Sequence, residues 1–174
     1  MEILIAFLFG AIIGSFLNVC IYRMPRDMSV VSPRSHCPEC EKQIAWSDNI
    51  PLASFFLLKG KCRHCAARIP WRYPIVEFLT AAVFAGAVAG FGPTLYALKY
   101  AMLGAILITL VFSDLETRIL PDEFTLGGAV AGVVFSWFVP LNAGLAHFIV
   151  SNPDNRRALS LVESLLGALI CGGV

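Results

Sequence analysis

The chain has 174 residues, of which 57% are hydrophobic and only 14% charged, with a formal net charge of +1. Water-exposed globular domains are about half apolar and about a quarter charged, and a mean hydropathy of +0.75 excludes that class. The composition is that of a membrane protein.

The first apolar stretch, Ile3 to Tyr22, approaches the ~20 residues that carry a helix across ~30 Å of hydrocarbon. No basic residue precedes it, and Arg23 and Arg26 come after it, so it reads as a span rather than a cleavable signal peptide. Asn18, inside this span, is expected to hydrogen-bond another helix.

Residues 23–73 form the one long polar stretch, and nine of the 13 Lys and Arg residues lie in it. Short Lys/Arg-rich loops stay cytoplasmic, which places this loop inside and the N-terminus outside. The loop holds two cysteine pairs, Cys37-Pro38-Glu39-Cys40 and Cys62-Arg63-His64-Cys65, separated by 21 residues. In a reducing compartment, paired thiols point to metal binding or redox chemistry rather than to structural disulfides. Four thiolates in two C-x2-C knuckles suit a tetrahedral structural zinc, with a closed shell that leaves no place for water or substrate. Lys61, Arg63 and His64 are expected to offset its negative charge. His36 and His64 adjoin the cysteines, but four sulfurs already complete the site. Cys20 and Cys171 lie in apolar stretches and read as small hydrophobes.

Three further spans are expected, Pro74 to Phe91, Thr94 to Ser113 and Phe124 to Leu141, and a fifth apolar run begins at Ala158. That run is still apolar at Val174, so the chain is expected to be a truncated form of a longer protein. Counting spans puts residues 114–123 inside and residues 142–157, with Asp154, Arg156 and Arg157, outside. Asp114 directly follows the third span, and an ionisable group at membrane depth is a functional candidate; the alternative is a carboxylate in the headgroup zone. Asp122 follows Pro121 and suits an N-cap for the helix beginning near Phe124. Glu116 and Arg118 read most simply as interfacial. The expected fold is an all-α polytopic membrane protein with a small cytoplasmic zinc-ribbon-like insertion. Its expected divisions are a first transmembrane helix (1–22), a zinc-binding loop domain (23–73) and a transmembrane core (74–174).

Several motifs then carry a resemblance: Gly14-Ser15-Phe16-Leu17-Asn18-Val19-Cys20-Ile21-Tyr22-Arg23-Met24-Pro25, the two knuckles, Ile50-Pro51, Arg72-Tyr73-Pro74-Ile75-Val76-Glu77, and Asp114 with Leu120-Pro121-Asp122. In this order, over residues 10 to 128, they resemble a bacterial type IV prepilin peptidase. The resemblance implies an aspartyl protease of the bacterial inner membrane that removes the leader from prepilins and pseudopilins on the cytoplasmic face. It also implies methylation of the new N-terminus with S-adenosylmethionine, for which no glycine-rich nucleotide loop is present. The first catalytic aspartate of the family's D-x6-P-D motif maps onto Asp114. Its partner belongs to a downstream G-x-G-D motif that these 174 residues lack, so the chain as given is expected to be inactive and residues 74–174 to be an incomplete peptidase core. Glu77, Glu116, Asp122 and Glu123 are candidates to meet a basic leader, each equally readable as a solvated interfacial residue or a partner for Arg72 or Arg118, and Gly167, Gly172 and Gly173 suit close helix packing. The expected partners are these substrates and the lipid bilayer, with no nucleic acid. Two rival classes are a membrane thiol-disulfide oxidoreductase using the cysteine pairs and a non-catalytic zinc-ribbon membrane adaptor.

Overall fold

The structure is a computed structural model that describes residues 1–139, 160–162 and 164. It is helical, in the order α1 (Glu2–Arg23), α2 (Ala53–Leu57), α3 (Arg72–Phe91), α4 (Leu95–Thr117) and α5 (Asp122–Phe138), with no named strand among the described residues. Three helical segments are long and apolar enough to cross a membrane: Glu2–Arg26, Arg72–Phe91 and Leu95–Thr117. The chain divides into two compact units, Met1–Pro121 and Asp122–Val174.

In the first unit α3 packs against both α1 and α4. The α1–α3 approach is close because α1 carries Gly10 and Gly14, one turn apart on the same face. A Cβ on Gly14 would lie 2.7 Å from Glu77 Cα, and one on Gly10 would lie 2.8 Å from Ala81 Cα. Neither gap admits a methyl group, and both opposing atoms are backbone. Gly14→Ala is therefore expected to cost about 1–3 kcal/mol by overpacking. Gly86→Ala, in α3 with open space at its Cβ position, should be neutral or gain up to about 1 kcal/mol from helix propensity. Thermal unfolding in detergent checks the pair.

Edge-on ring contacts extend the α1–α3 seam, with Phe7 and Phe78 centroids 6.1 Å apart and Phe9 and Phe84 5.9 Å apart. Gly92 (φ 65°) and Pro93 stop α3, and Thr94 restarts the chain as the N-cap of α4, its Oγ1 accepting from Ala97 N–H at 3.4 Å. Phe91 stacks on Tyr100 across this turn at 4.8 Å. The outward faces of the helices remain apolar and exposed, for example Ile5, Leu8, Phe9, Ile12 and Phe16 on α1, as lipid-facing helices require.

The third expected span runs further than its apolar composition implied. α4 continues through Thr117, which puts Asp114 inside its last turn rather than after its end. The helix end is tied by side chains: Ser113 donates to Ile119 O at 2.8 Å, Thr117 donates to Ser113 O at 3.0 Å, and Arg118 takes a left-handed conformation while its N–H bonds Asp114 O. Polar bonds of this kind satisfy carbonyls at a helix C-terminus and just past it.

In the second unit α5 begins at Asp122, whose carboxylate lies with that of Glu123 in the first turn, where the helix dipole favours negative charge. Ser136 pairs with the hydroxyl of Ser164, and residues 160–162 and 164 are helical. The expected end of the fourth span at Leu141 lies outside the described residues. So do the 142–157 loop with Asp154, Arg156 and Arg157, most of the fifth apolar run, and Gly167, Cys171, Gly172 and Gly173.

Candidate functional site: a cysteine-bound loop and a carboxylate at one end of the bundle

Each cysteine pair sits in the same local structure. In the first, Cys37 N–H donates to Lys42 O at 3.0 Å and Glu41 N–H to Cys37 O at 2.9 Å; in the second, Cys62 N–H donates to Ala67 O at 2.8 Å and Ala66 N–H to Cys62 O at 3.0 Å. Glu41 and Ala66, each the residue after the second cysteine, both have positive φ, 56° and 58°. Isolated antiparallel bridges, His36 with Gln43 and Lys61 with Arg68, close the two turns. The repeat is a pair of equivalent knuckles, with a single bridge in place of the longer hairpin of a ribbon.

The four sulfurs of Cys37, Cys40, Cys62 and Cys65 lie within 4.8 Å of one another, and Cys37 Sγ is 3.7 Å from Cys65 Sγ. Tetrahedral metal–sulfur bonds of about 2.3 Å place sulfurs about 3.8 Å apart, so the quartet fits a metal ion. All four cysteines are free thiols. The Cys62 thiol is lowered to about 7, first by the backbone N–H of Cys65 and then by that of His64. The Cys65 thiol is pushed up to about 12: the Ala67 backbone N–H favours its thiolate, but desolvation and the sulfurs of Cys40, Cys62 and Cys37 outweigh it. Four thiols this close cannot all ionise alone, whereas a cation at their centre would remove the conflict.

Arg63, expected to offset the charge of such a centre, is engaged elsewhere. It grips Asp48 with both arms of its guanidinium, Nε to Oδ2 at 2.7 Å and Nη2 to Oδ1 at 2.6 Å. This fork ties the second knuckle to the 3-10 turn at Trp46–Asn49. Arg63 holds the Asp48 carboxyl below the usual carboxylate range. Because the folded value is depressed, the contact stabilises the loop above the unfolded value near 4 and is lost as pH falls through the folded one. The loop also has an apolar centre of its own, in which the Phe55 ring meets Phe56 at 5.8 Å and Trp71 at 5.0 Å. Gly60, with φ 66°, passes against the Phe55 ring.

Glu77 fastens the loop to the membrane helices, and Asn18 joins two of those helices. Leu52 is held at φ 61° in a tight three-residue turn, with Ala53 N–H on Pro51 O at 2.6 Å, a strained conformation for a branched side chain. Its N–H donates to Glu77 Oε2 at 2.7 Å, and Glu77 is only 8% exposed. Glu77 is therefore a latch between loop and α3 and is not open to a basic leader. Asn18 is the interhelical contact expected of it, donating to Tyr73 O at 3.0 Å.

The end of α4 lies on the loop side of the bundle. Arg72, at the start of α3, forms an ion pair with Glu116 and stacks on the Tyr73 ring at 4.7 Å. Of the readings open to Glu116, a solvated interfacial acid, a leader contact or a partner for Arg72 or Arg118, the structure shows the pairing with Arg72, which commits it to α3. The Arg72 side chain is 10% exposed, so Glu116→Gln, which leaves this guanidinium without its anion, is expected to cost about 1 kcal/mol, readable as a lowered Tm. Asp114 lies one turn short of the α4 end, exposed, about 29 Å along the helix from Leu95 at 1.5 Å per residue. That length is about one hydrocarbon thickness. The neighbours Ser113, Glu116 and Thr117 all have partners, whereas the Asp114 carboxylate has none among the described residues.

Comparison with known proteins shows the family. Residues 8–91 match the family described as the bacterial peptidase A24 N-terminal domain. The chain is 42% identical over 137 residues to a prepilin leader peptidase/N-methyltransferase of Myxococcus xanthus, covering 79% of this chain and 41% of the relative. It is 42% identical over 146 residues to a type 4 prepilin-like proteins leader peptide-processing enzyme of Escherichia coli, covering 74% and 54%. To a prepilin leader peptidase/N-methyltransferase of Klebsiella pneumoniae it is 40% identical over 144 residues, covering 78% and 63%. The chain spans about half the length of these relatives. No solved structure matches it. With three membrane-length helical segments, a cysteine quartet that could hold a metal, and these relatives, the chain belongs to the bacterial type IV prepilin peptidase family.

Proposed function

We propose that the protein works as a membrane aspartyl endopeptidase that removes the leader of type IV prepilins and pseudopilins, with Asp114 as one of its two catalytic carboxylates. The observation that carries this reading is Asp114 itself, an exposed carboxylate in the last turn of the membrane-length helix α4 that has no partner among the described residues. Peptide hydrolysis by carboxylates needs two of them sharing one proton. The ionised one takes a proton from water, and the protonated one donates to the scissile carbonyl. Glu116 cannot be the second, since Arg72 holds it. The partner carboxylate comes from outside the residues brought together here, in keeping with the G-x-G-D expectation.

In this reading a first transmembrane helix (1–22), a zinc-binding loop domain (23–73) and an incomplete transmembrane peptidase core (74–174) divide the work. The nine Lys and Arg residues of the 23–73 loop support a site on the cytoplasmic face of the bacterial inner membrane, because positively charged short loops stay inside. Cys37, Cys40, Cys62 and Cys65 hold zinc, which as a closed four-thiolate centre supplies folding energy and no open coordination position. Drawing sulfurs from both knuckles into one quartet favours this metal reading over thiol exchange within each pair. Asp122 and Glu123 stay exposed and are the acidic groups open to a basic leader. Methylation of the new N-terminus with S-adenosylmethionine is supported by the names of the relatives. Complementation tests the reading: in a bacterium deprived of its own enzyme, the protein at the full length of its relatives should restore leader removal from a prepilin. Accumulation of the uncut prepilin would count against it.

A further inference from the structure

A cavity of about 410 Å³ opens on the flank of α1, walled by Ile12, Phe16, Val19 and Arg23 of the helix and by loop residues including Val30 and Arg34. It continues the exposed apolar stripe Ile5, Leu8, Phe9, Ile12 and Phe16, so its apolar end faces hydrocarbon. Its polar end holds an unusual cation. Arg23 is 6% exposed, donates to Ser29 O at 2.9 Å and to Pro33 O at 2.8 Å, and meets no carboxylate among the described residues. A guanidinium buried against neutral carbonyls alone retains its full charge in a poorly solvated place. Arg34 adds a second positive charge at the same end, on an exposed side chain.

We propose that this cavity binds one anionic glycerophospholipid from the leaflet on the cysteine-loop side, with an acyl chain along Ile12, Phe16 and Val19 and the phosphate between Arg23 and Arg34. Length supports the assignment. Ile12 to Arg23 is about 16 Å of helix, half of the ~30 Å hydrocarbon core, which is the reach of one leaflet. Charge selects the headgroup, since basic pockets at this depth hold anionic lipids. The bound lipid would complete the wall between α1 and the Ser29–Pro33 turn that Arg23 holds. The inference is independent of the peptidase reading.

Native mass spectrometry of the delipidated full-length protein in detergent tests it, using phosphatidylglycerol and phosphatidylcholine with identical acyl chains, and inorganic phosphate. One phosphatidylglycerol per chain should be retained, and phosphatidylcholine about fivefold less, the effect of about one interfacial cation. Arg34→Gln, an exposed site that leaves the Arg23 contacts intact, should remove that preference. Val19→Trp, which fills the cavity, should reduce retention of both lipids. Equal retention of the two lipids by the unmodified protein, retention unaffected by both substitutions, or displacement by inorganic phosphate at equal concentration would each overturn the proposal.

Discussion

Asp114→Asn should abolish leader cleavage while leaving the fold unchanged. Asparagine keeps the size of the side chain but can neither take a proton from water nor share one with a second carboxylate, and loss of a positioned acid–base group costs about 10² to 10⁴ in rate. Stability should not change, because the Asp114 side chain is exposed and has no partner among the described residues; what it contributes to the helix end is its backbone carbonyl, bonded by Arg118. The measurement is cleavage of a prepilin by the protein at its relatives' full length, followed on a gel, alongside thermal unfolding of the same preparation. A fall in rate at constant Tm identifies chemistry. A fall in both would make Asp114 a structural residue.

The second large effect is expected at the cysteine quartet. Structural zinc sites contribute about 10–16 kcal/mol of binding energy to small zinc-finger peptides at neutral pH, and this loop is built around such a quartet. Cys62→Ser should therefore drop bound zinc from about one per chain to a small fraction and open the loop to protease between residues 36 and 69. The three spans should stay helical, since α1 and α3 are joined by their own glycine seam. Cys20→Ala, at a buried cysteine inside α1, should leave the metal content unchanged. Elemental analysis with limited proteolysis reads both variants. A preparation holding disulfides and no metal would favour thiol exchange instead.

Much of the arrangement was legible in the residues. Long apolar runs located α1, α3 and α4 because lipid demands satisfied backbone and apolar side chains over a fixed length, and the C-x2-C spacing located the quartet because four sulfurs around one ion constrain the chain locally. The errors came where side-chain partners decide. The helical turn beyond Asp114 rests on Ser113, Thr117 and Arg118, polar residues whose hydrogen bonds no hydropathy pattern records. Glu77 and Glu116 offered the same choice of solvent, a basic leader or a neighbouring arginine, yet one is buried on the Leu52 N–H and the other paired with Arg72. These partners lie 25 and 44 positions away, and single-residue chemistry gives no register for such contacts. Arg63 likewise carries no mark of its pairing with Asp48. The role of Arg23 was missed for the same reason: beside an apolar span it reads as an orientation signal, and only folding shows it buried against the carbonyls of the turn that follows.

The most direct test of the central claim is the mass of a prepilin after incubation with the unmodified protein at its relatives' full length and, in parallel, with its Asp114→Asn form. The expected product is lighter by the leader and heavier by the net CH2 of one methylation with the unmodified protein and S-adenosylmethionine, and the prepilin should stay intact with the variant. Equal leader removal by both proteins would contradict it.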